Sequence, residues 1–136
     1  MVKETLRGIV PPEAFVRTEA KIDKSFEAGY GTVLFFEDQA VVEQLQHDNP
    51  LYSKSLGDWS QHTSAMHQLA VWTMLEDAGF GASLQHYNPL IDDAVYREWN
   101  ISKSWRLIAQ MPFGISTGDA GDKTFRPVEE RVLVFE

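Results

Sequence analysis

The chain has 136 residues, a formal net charge of −8 and no cysteine. That length fits one domain and leaves no room for two. The acidic balance argues against nucleic acid and against an anionic membrane surface, both of which call for clustered Lys and Arg, and the missing thiols exclude disulfides, thiolate zinc sites and cysteine catalysis.

Hydrophobic residues make up 43% of the chain and aromatics 12%, enough apolar surface for a core. Residues 1–7 carry Lys3, Glu4 and Arg7 and lack the apolar centre of a signal peptide. No apolar run approaches the ~20 residues of a membrane helix. These features suit a cytoplasmic protein.

The first helix is predicted over 11–28. Pro11 and Pro12 fit its first turn, where a missing N–H costs nothing. Phe15, Ile22 and Phe26 share one face, and Gly29 stops the helix. Residues 32–36 (TVLFF) read as a strand with two apolar faces, hence one covered on both sides. Asp38 caps a short helix that ends before Asn49-Pro50.

The strongest helical signal runs over 59–78, with Asp58 as cap and Gly79 as stop. Its second half (LAVWTMLEDA) is apolar nearly all round, which predicts a buried central helix. Residues 81–85 read as a short strand. Pro89 opens a helix with Leu90, Ile91, Val95 and Trp99 on its inner side. Over 105–113, strict alternation places Trp105, Leu107, Ala109, Met111 and Phe113 on one face and Arg106, Ile108, Gln110 and Pro112 on the other. A Gly-rich loop over 115–122 and a last strand over 131–135 (RVLVF) complete the chain. Helical and strand signals alternate irregularly, so the expected class is α+β.

Few motifs carry chemistry by themselves. Gly79-Phe80-Gly81 follows a helix and has Leu84 at the third glycine position, so it is not a dinucleotide fingerprint. His62 and His67 are five apart, about 140° around a helix, and cannot share a metal. Asp92 and Asp93 fit a helical first turn, where the dipole favours acids. One feature stands out: Gln85-His86-Tyr87-Asn88, polar and aromatic, directly after a helix and a short strand. It reads either as a ligand edge between rigid elements or as a turn into the next helix.

The stretch 79–89 (GFGASLQHYNP), followed by 105–114 (WRLIAQMPFG), resembles the nitroreductase family. The segments 31–38 (GTVLFFED), 72–76 (WTMLE) and 121–135 (GDKTFRPVEERVLVF) match it as well. The resemblance covers nearly the whole chain from about Glu4, and its specificity lies in the joint set. It implies an α+β fold with a mixed, mostly antiparallel sheet flanked by helices, in an intertwined homodimer holding FMN at the subunit interface. NADH or NADPH would reduce the flavin, which would pass electrons to nitro compounds, quinones or other small acceptors. By the same resemblance, Leu84, Gln85, His86 and Tyr87 pass alongside the flavin ring, and Lys123 and Arg126 hold the FMN phosphate. Family members begin with an Arg- and Ser-rich stretch that grips the phosphate and ribityl chain. It is not in this sequence, so the resemblance further implies a single domain over 1–136 that lacks its N-terminal flavin-binding segment.

Three functions follow as alternatives: a flavin-dependent NAD(P)H oxidoreductase, a protein that folds or dimerises without holding FMN, and an unrelated acidic binding module.

Overall fold

A computed structural model describes residues 2–118 and 121–135; two positions of the predicted Gly-rich loop, 119 and 120, lie outside the described residues. The chain opens with α1 (Val2–Arg7) and α2 (Pro12–Lys21), which runs on into a π-helical turn, Ile22–Glu27. Strand β1 (Gly31–Asp38) leads to α3 (Gln39–Asp48) and the long α4 (Ser53–Asp77). Then come β2 (Gly81–Ala82), α5 (Asp92–Trp99) and β3 (Trp105–Gly114). The sheet order is β1-β3-β2, with both pairings antiparallel. This is the expected α+β arrangement.

The β1–β3 register sets which residues share a face. Thr32 faces Pro112, Leu34 faces Gln110 and Phe35 faces Ala109; the next pair is Phe36 with Leu107. Ile108 is therefore an extra residue on β3, a bulge that reverses the alternation beyond it. Leu107 crosses to the face of Leu34 and Gln110, where it packs with Ile91, Val95 and Phe36. The strict alternation expected over 105–113 holds only up to this point.

Leu6, Phe15 and Ile22 form a second buried cluster with Phe26 against it, as the spacing of the first helix predicts. Gly29 does more than end that helix. A Cβ there would meet the Phe113 carbonyl oxygen at 2.8 Å, so only glycine lets the chain enter β1 this close to β3. Gly79, at φ +85°, supplies the left-handed residue that ends α4.

Three expectations are corrected. The long helix begins at Ser53, so Asp58 lies inside it. Its apolar second half is only partly covered: Leu69 is 67% exposed and Met74 70%, Val71, Trp72 and Leu75 are half-buried, and the buried residues of the helix are Ser64 and Gln68. Gln68 donates to Ser64 Oγ at 3.1 Å; one to two turns further on, Val71, Trp72 and Leu75 continue that inner side, while Met66, Leu69 and Met74 point outward. The segment 131–135 is no strand; Leu133, Val134 and Phe135 are exposed. A terminal strand needs a neighbouring backbone to pair with, and among the described residues this segment pairs with no strand.

Candidate functional site

Strand β2 lies at the edge of the sheet, and its continuation, residues 83–88, is held to β3 in an unusual way. Gln85 and Gln110 exchange both backbone hydrogen bonds, at 2.7 and 2.9 Å. Ser83 N–H donates to the Pro112 carbonyl at 3.0 Å, but Pro112 has no N–H to return. The ladder is cut there, which is why β2 proper is two residues long and Gln85 forms an isolated bridge rather than part of the predicted strand.

Beyond Gln85 a side chain replaces the backbone. Tyr87 N–H donates to Gln110 Oε1 at 2.9 Å. Gln110 Nε2 donates to Asn88 Oδ1 at 3.0 Å, and Asn88 Nδ2 donates both to the Leu107 carbonyl and to Asp92 Oδ1, each at 2.9 Å. The Gln110 residue is buried, only 4% exposed.

The consequence for the outer edge follows from strand geometry. The N–H groups of Ser83, Gln85 and Tyr87 point into the sheet, so those of Leu84 and His86 point away from it. Among the described residues nothing accepts from either. The edge thus presents two outward backbone donors on a segment fixed from behind.

The side chains divide between two faces. Gln85 and Tyr87 line an open cavity of about 750 Å³ whose walls include Leu34, Phe26, Ile91 and Val95. Burial pushes the Tyr87 phenol above its ordinary range. His86 is exposed and lines a shallow groove of about 480 Å³ with Gln61, Asp92 and Arg106. Lys3 and Glu27 stand at the cavity wall. Lys3 binds Asp23 at 2.7 Å and also Glu27, and these hydrogen bonds hold its ammonium well above the usual lysine range. Lys123 and Arg126 are exposed and line neither the cavity nor the groove. Among the described residues no group of three or more His, Asp or Glu could hold a metal ion, and no helix is long and apolar enough to cross a membrane.

The structure of nitroreductase CinD from Lactococcus lactis in complex with nicotinic acid superposes with a TM-score of 0.82 at 45% identity, over 99% of this chain and 72% of that one. The chain belongs to the nitroreductase family. CinD in complex with 4-nitrophenol superposes equally well, at 46% identity, with 99% and 71% of the two chains covered. The yeast protein HBN1 (Saccharomyces cerevisiae) is 35% identical over 122 residues, 90% of this chain and 60% of its own. Nitroreductase FRM2 from the same yeast is 36% identical over 113 residues, 83% of this chain and 55% of its own. The chain thus spans a little over half the length of these two curated relatives. No protein-family model matches it.

Of the residues that resemblance to nitroreductases singled out, the structure brings Leu84, Gln85, His86 and Tyr87 together on one fixed edge. It does not join Lys123 and Arg126 to them. Asn88, read from the sequence as part of a possible ligand edge, stands behind that edge with Gln110, and Gln110 was not picked out as a site. The available signal was a glutamine in the middle of the apolar strand LIAQMPF, since a buried polar side chain must find partners.

Proposed function

We propose that this chain serves an FMN-dependent NAD(P)H oxidoreductase of nitroreductase type, acting on nitro compounds, quinones or similar planar acceptors. The observation that carries the reading is the edge at 84–87. Its outward N–H groups, at Leu84 and His86, match the acceptor-rich polar edge of an isoalloxazine ring, so the residues present fit a flavin. Bound FMN would supply two-electron transfer between the nicotinamide and the acceptor.

The chain's own part is positional and electrostatic. Leu84 and His86 would donate backbone hydrogen bonds where negative charge gathers on reduction, and donors fixed beforehand cost no reorganisation. Gln85 and Tyr87 would border the ring through backbone and apolar contact. Lys123 and Arg126 would pair with the dianionic phosphate. CinD has been captured with 4-nitrophenol and with chloramphenicol, so nitroaromatics are the first acceptors to try.

The exposed apolar face of α4 supports a homodimer. Met66, Leu69 and Met74 are each at least 62% exposed. A stripe of that kind marks an interface. The tail from Val132 to Phe135 would pair across it, and nothing in the reading calls for a membrane or a compartment other than the cytoplasm.

A competing reading is a protein that dimerises without holding flavin, favoured by the distance of Lys123 and Arg126 from the cavity and groove. The test is oxidation of NADH and NADPH by the FMN-supplemented protein with 4-nitrophenol or a quinone as acceptor. Turnover that depends on FMN supports the enzyme; its absence with both donors supports the dimer alone.

A further inference from the structure

We infer that Gln110 is a positioning residue: its buried side-chain amide, with Asn88 behind it, fixes the backbone of residues 85–88 and so aims the outward N–H groups at the ligand edge. The inference rests on the flavin reading above.

The argument begins with what the ladder lacks. In a regular antiparallel pair the residue opposite Tyr87, two beyond the Gln85–Gln110 pair, would be Ile108. Ile108 is the bulged residue, so its backbone is out of register for pairing. The Tyr87 N–H, half-buried, would then lack a backbone acceptor, at a cost for whatever part of it water cannot reach. Gln110 Oε1 takes that donor, one residue pair further back, and extends the edge by one rung that the backbone cannot supply. The cut at Pro112 makes this rung matter more: among the described residues, the stretch 83–86 is tied to β3 by the Gln85–Gln110 pair and the one-way bond from Ser83 alone.

The rest of the amide is used as well. Gln110 Nε2 donates to Asn88 Oδ1, and Asn88 Nδ2 is shared between the Leu107 carbonyl and Asp92 Oδ1. The Gln110 side chain thus joins the central strand to the loop and, through Asn88, to Asp92 in the first turn of α5. Both ends of the Gln110 amide are engaged, so its orientation is determined, and a side chain of the same shape without both ends would not do the same. A change in the 85–88 backbone reaches the N–H of His86, because the peptide planes on either side of His86 meet at its Cα and are oriented by φ and ψ there.

The test uses the full chain with Gln110→Met, which keeps the volume and removes both bonds, and Gln110→Glu, which keeps an acceptor for Tyr87. Val42→Ala serves as a stability control, since Val42 is buried on α3 and lies outside the site. FMN affinity is measured by quenching of flavin fluorescence, the flavin absorption bands are recorded, and amide exchange is followed at Tyr87. In Gln110→Met we expect FMN to bind about tenfold more weakly, the flavin bands to shift, and Tyr87 to lose its protection while the Val33 and Phe35 amides keep theirs. Gln110→Glu should recover part of the affinity and of the Tyr87 protection. Val42→Ala should lower the melting temperature without moving the flavin bands. If the parent protein binds FMN and folded Gln110→Met binds it within twofold with unshifted bands, the positioning role is overturned and the flavin reading stands. If Val42→Ala shifts the bands as much, the effect is one of general stability and the role is overturned. If the parent protein binds no FMN, the flavin reading falls and this inference falls with it.

Discussion

The indole N–H of Trp105 donates to Asp38 Oδ2 at 3.2 Å, while Asp38 Oδ1 accepts the Ala40 N–H at 3.1 Å. One carboxylate thus caps α3 and ties it to the first residue of β3. We expect Asp38→Ala to lose about 1–2 kcal/mol, the range of an N-cap together with one polar contact. Asp38→Asn, which can still cap, should lose clearly less. Urea denaturation read by tryptophan fluorescence checks both; an unchanged midpoint for the alanine variant would show that the cap is idle.

The outward apolar face of α4 predicts that Leu69→Asp breaks a dimer without harming the fold of the chain. Leu69 is 67% exposed in the single chain, so the charge stays wet in a monomer and is buried only across an interface. Sedimentation velocity at matched concentration should show the parent protein as a dimer and the variant as a monomer. Removal of the residues after Glu130 should weaken the dimer too. A parent protein that sediments as a monomer at tens of micromolar would contradict both expectations.

How far the sequence discloses this fold can be argued from particular residues. The Asp38 cap, the Gly79 stop and the cluster of Phe15 with Ile22 follow from local rules, because each depends on neighbours within a turn or two. The side on which Leu107 lies does not. It depends on a bulge between strands that meet some seventy residues apart in sequence, and no local periodicity reports a register shift. The apolar half of α4 misleads for a related reason: periodicity shows that a surface wants cover and cannot show whether the cover comes from the same chain. In the candidate site, the loop 84–87 was legible by resemblance to nitroreductases, whereas Gln110 acquires its meaning only from the Tyr87 N–H opposite it.

Alkaline pH should loosen the packing of α1 on the π-helical turn. Hydrogen bonds to Asp23, then Glu27, raise the Lys3 pKa above its ordinary 10.5. A folded-state pKa raised above the unfolded value gives stability that is complete below the unfolded value and is lost as pH rises through the folded one. Burial raises Tyr87 above its ordinary 10.0, which acts in the same direction. Melting temperature should therefore fall as pH rises above about 10, and Lys3→Met should flatten part of that fall. An identical profile for the variant would remove Lys3 from the account.

Lys123 and Arg126 are exposed, so replacing both with Ala should leave the melting temperature within a degree or so. If they meet the FMN phosphate, the same double variant should weaken FMN binding about tenfold or more, as the loss of charge-assisted bonds does. Calorimetric titration at two salt concentrations separates this from general screening. Unchanged affinity would leave the phosphate without these partners.

The central claim is that the edge at 84–87 receives a flavin, and titration of the folded protein with FMN tests it most directly. Flavin fluorescence should quench and saturate at one FMN per chain with a Kd of about 10 µM or tighter. The bound flavin bands should bleach when NADH or NADPH is added without oxygen and return with 4-nitrophenol. No saturable quenching up to about 100 µM FMN, from a chain shown to be folded by circular dichroism, would contradict the account.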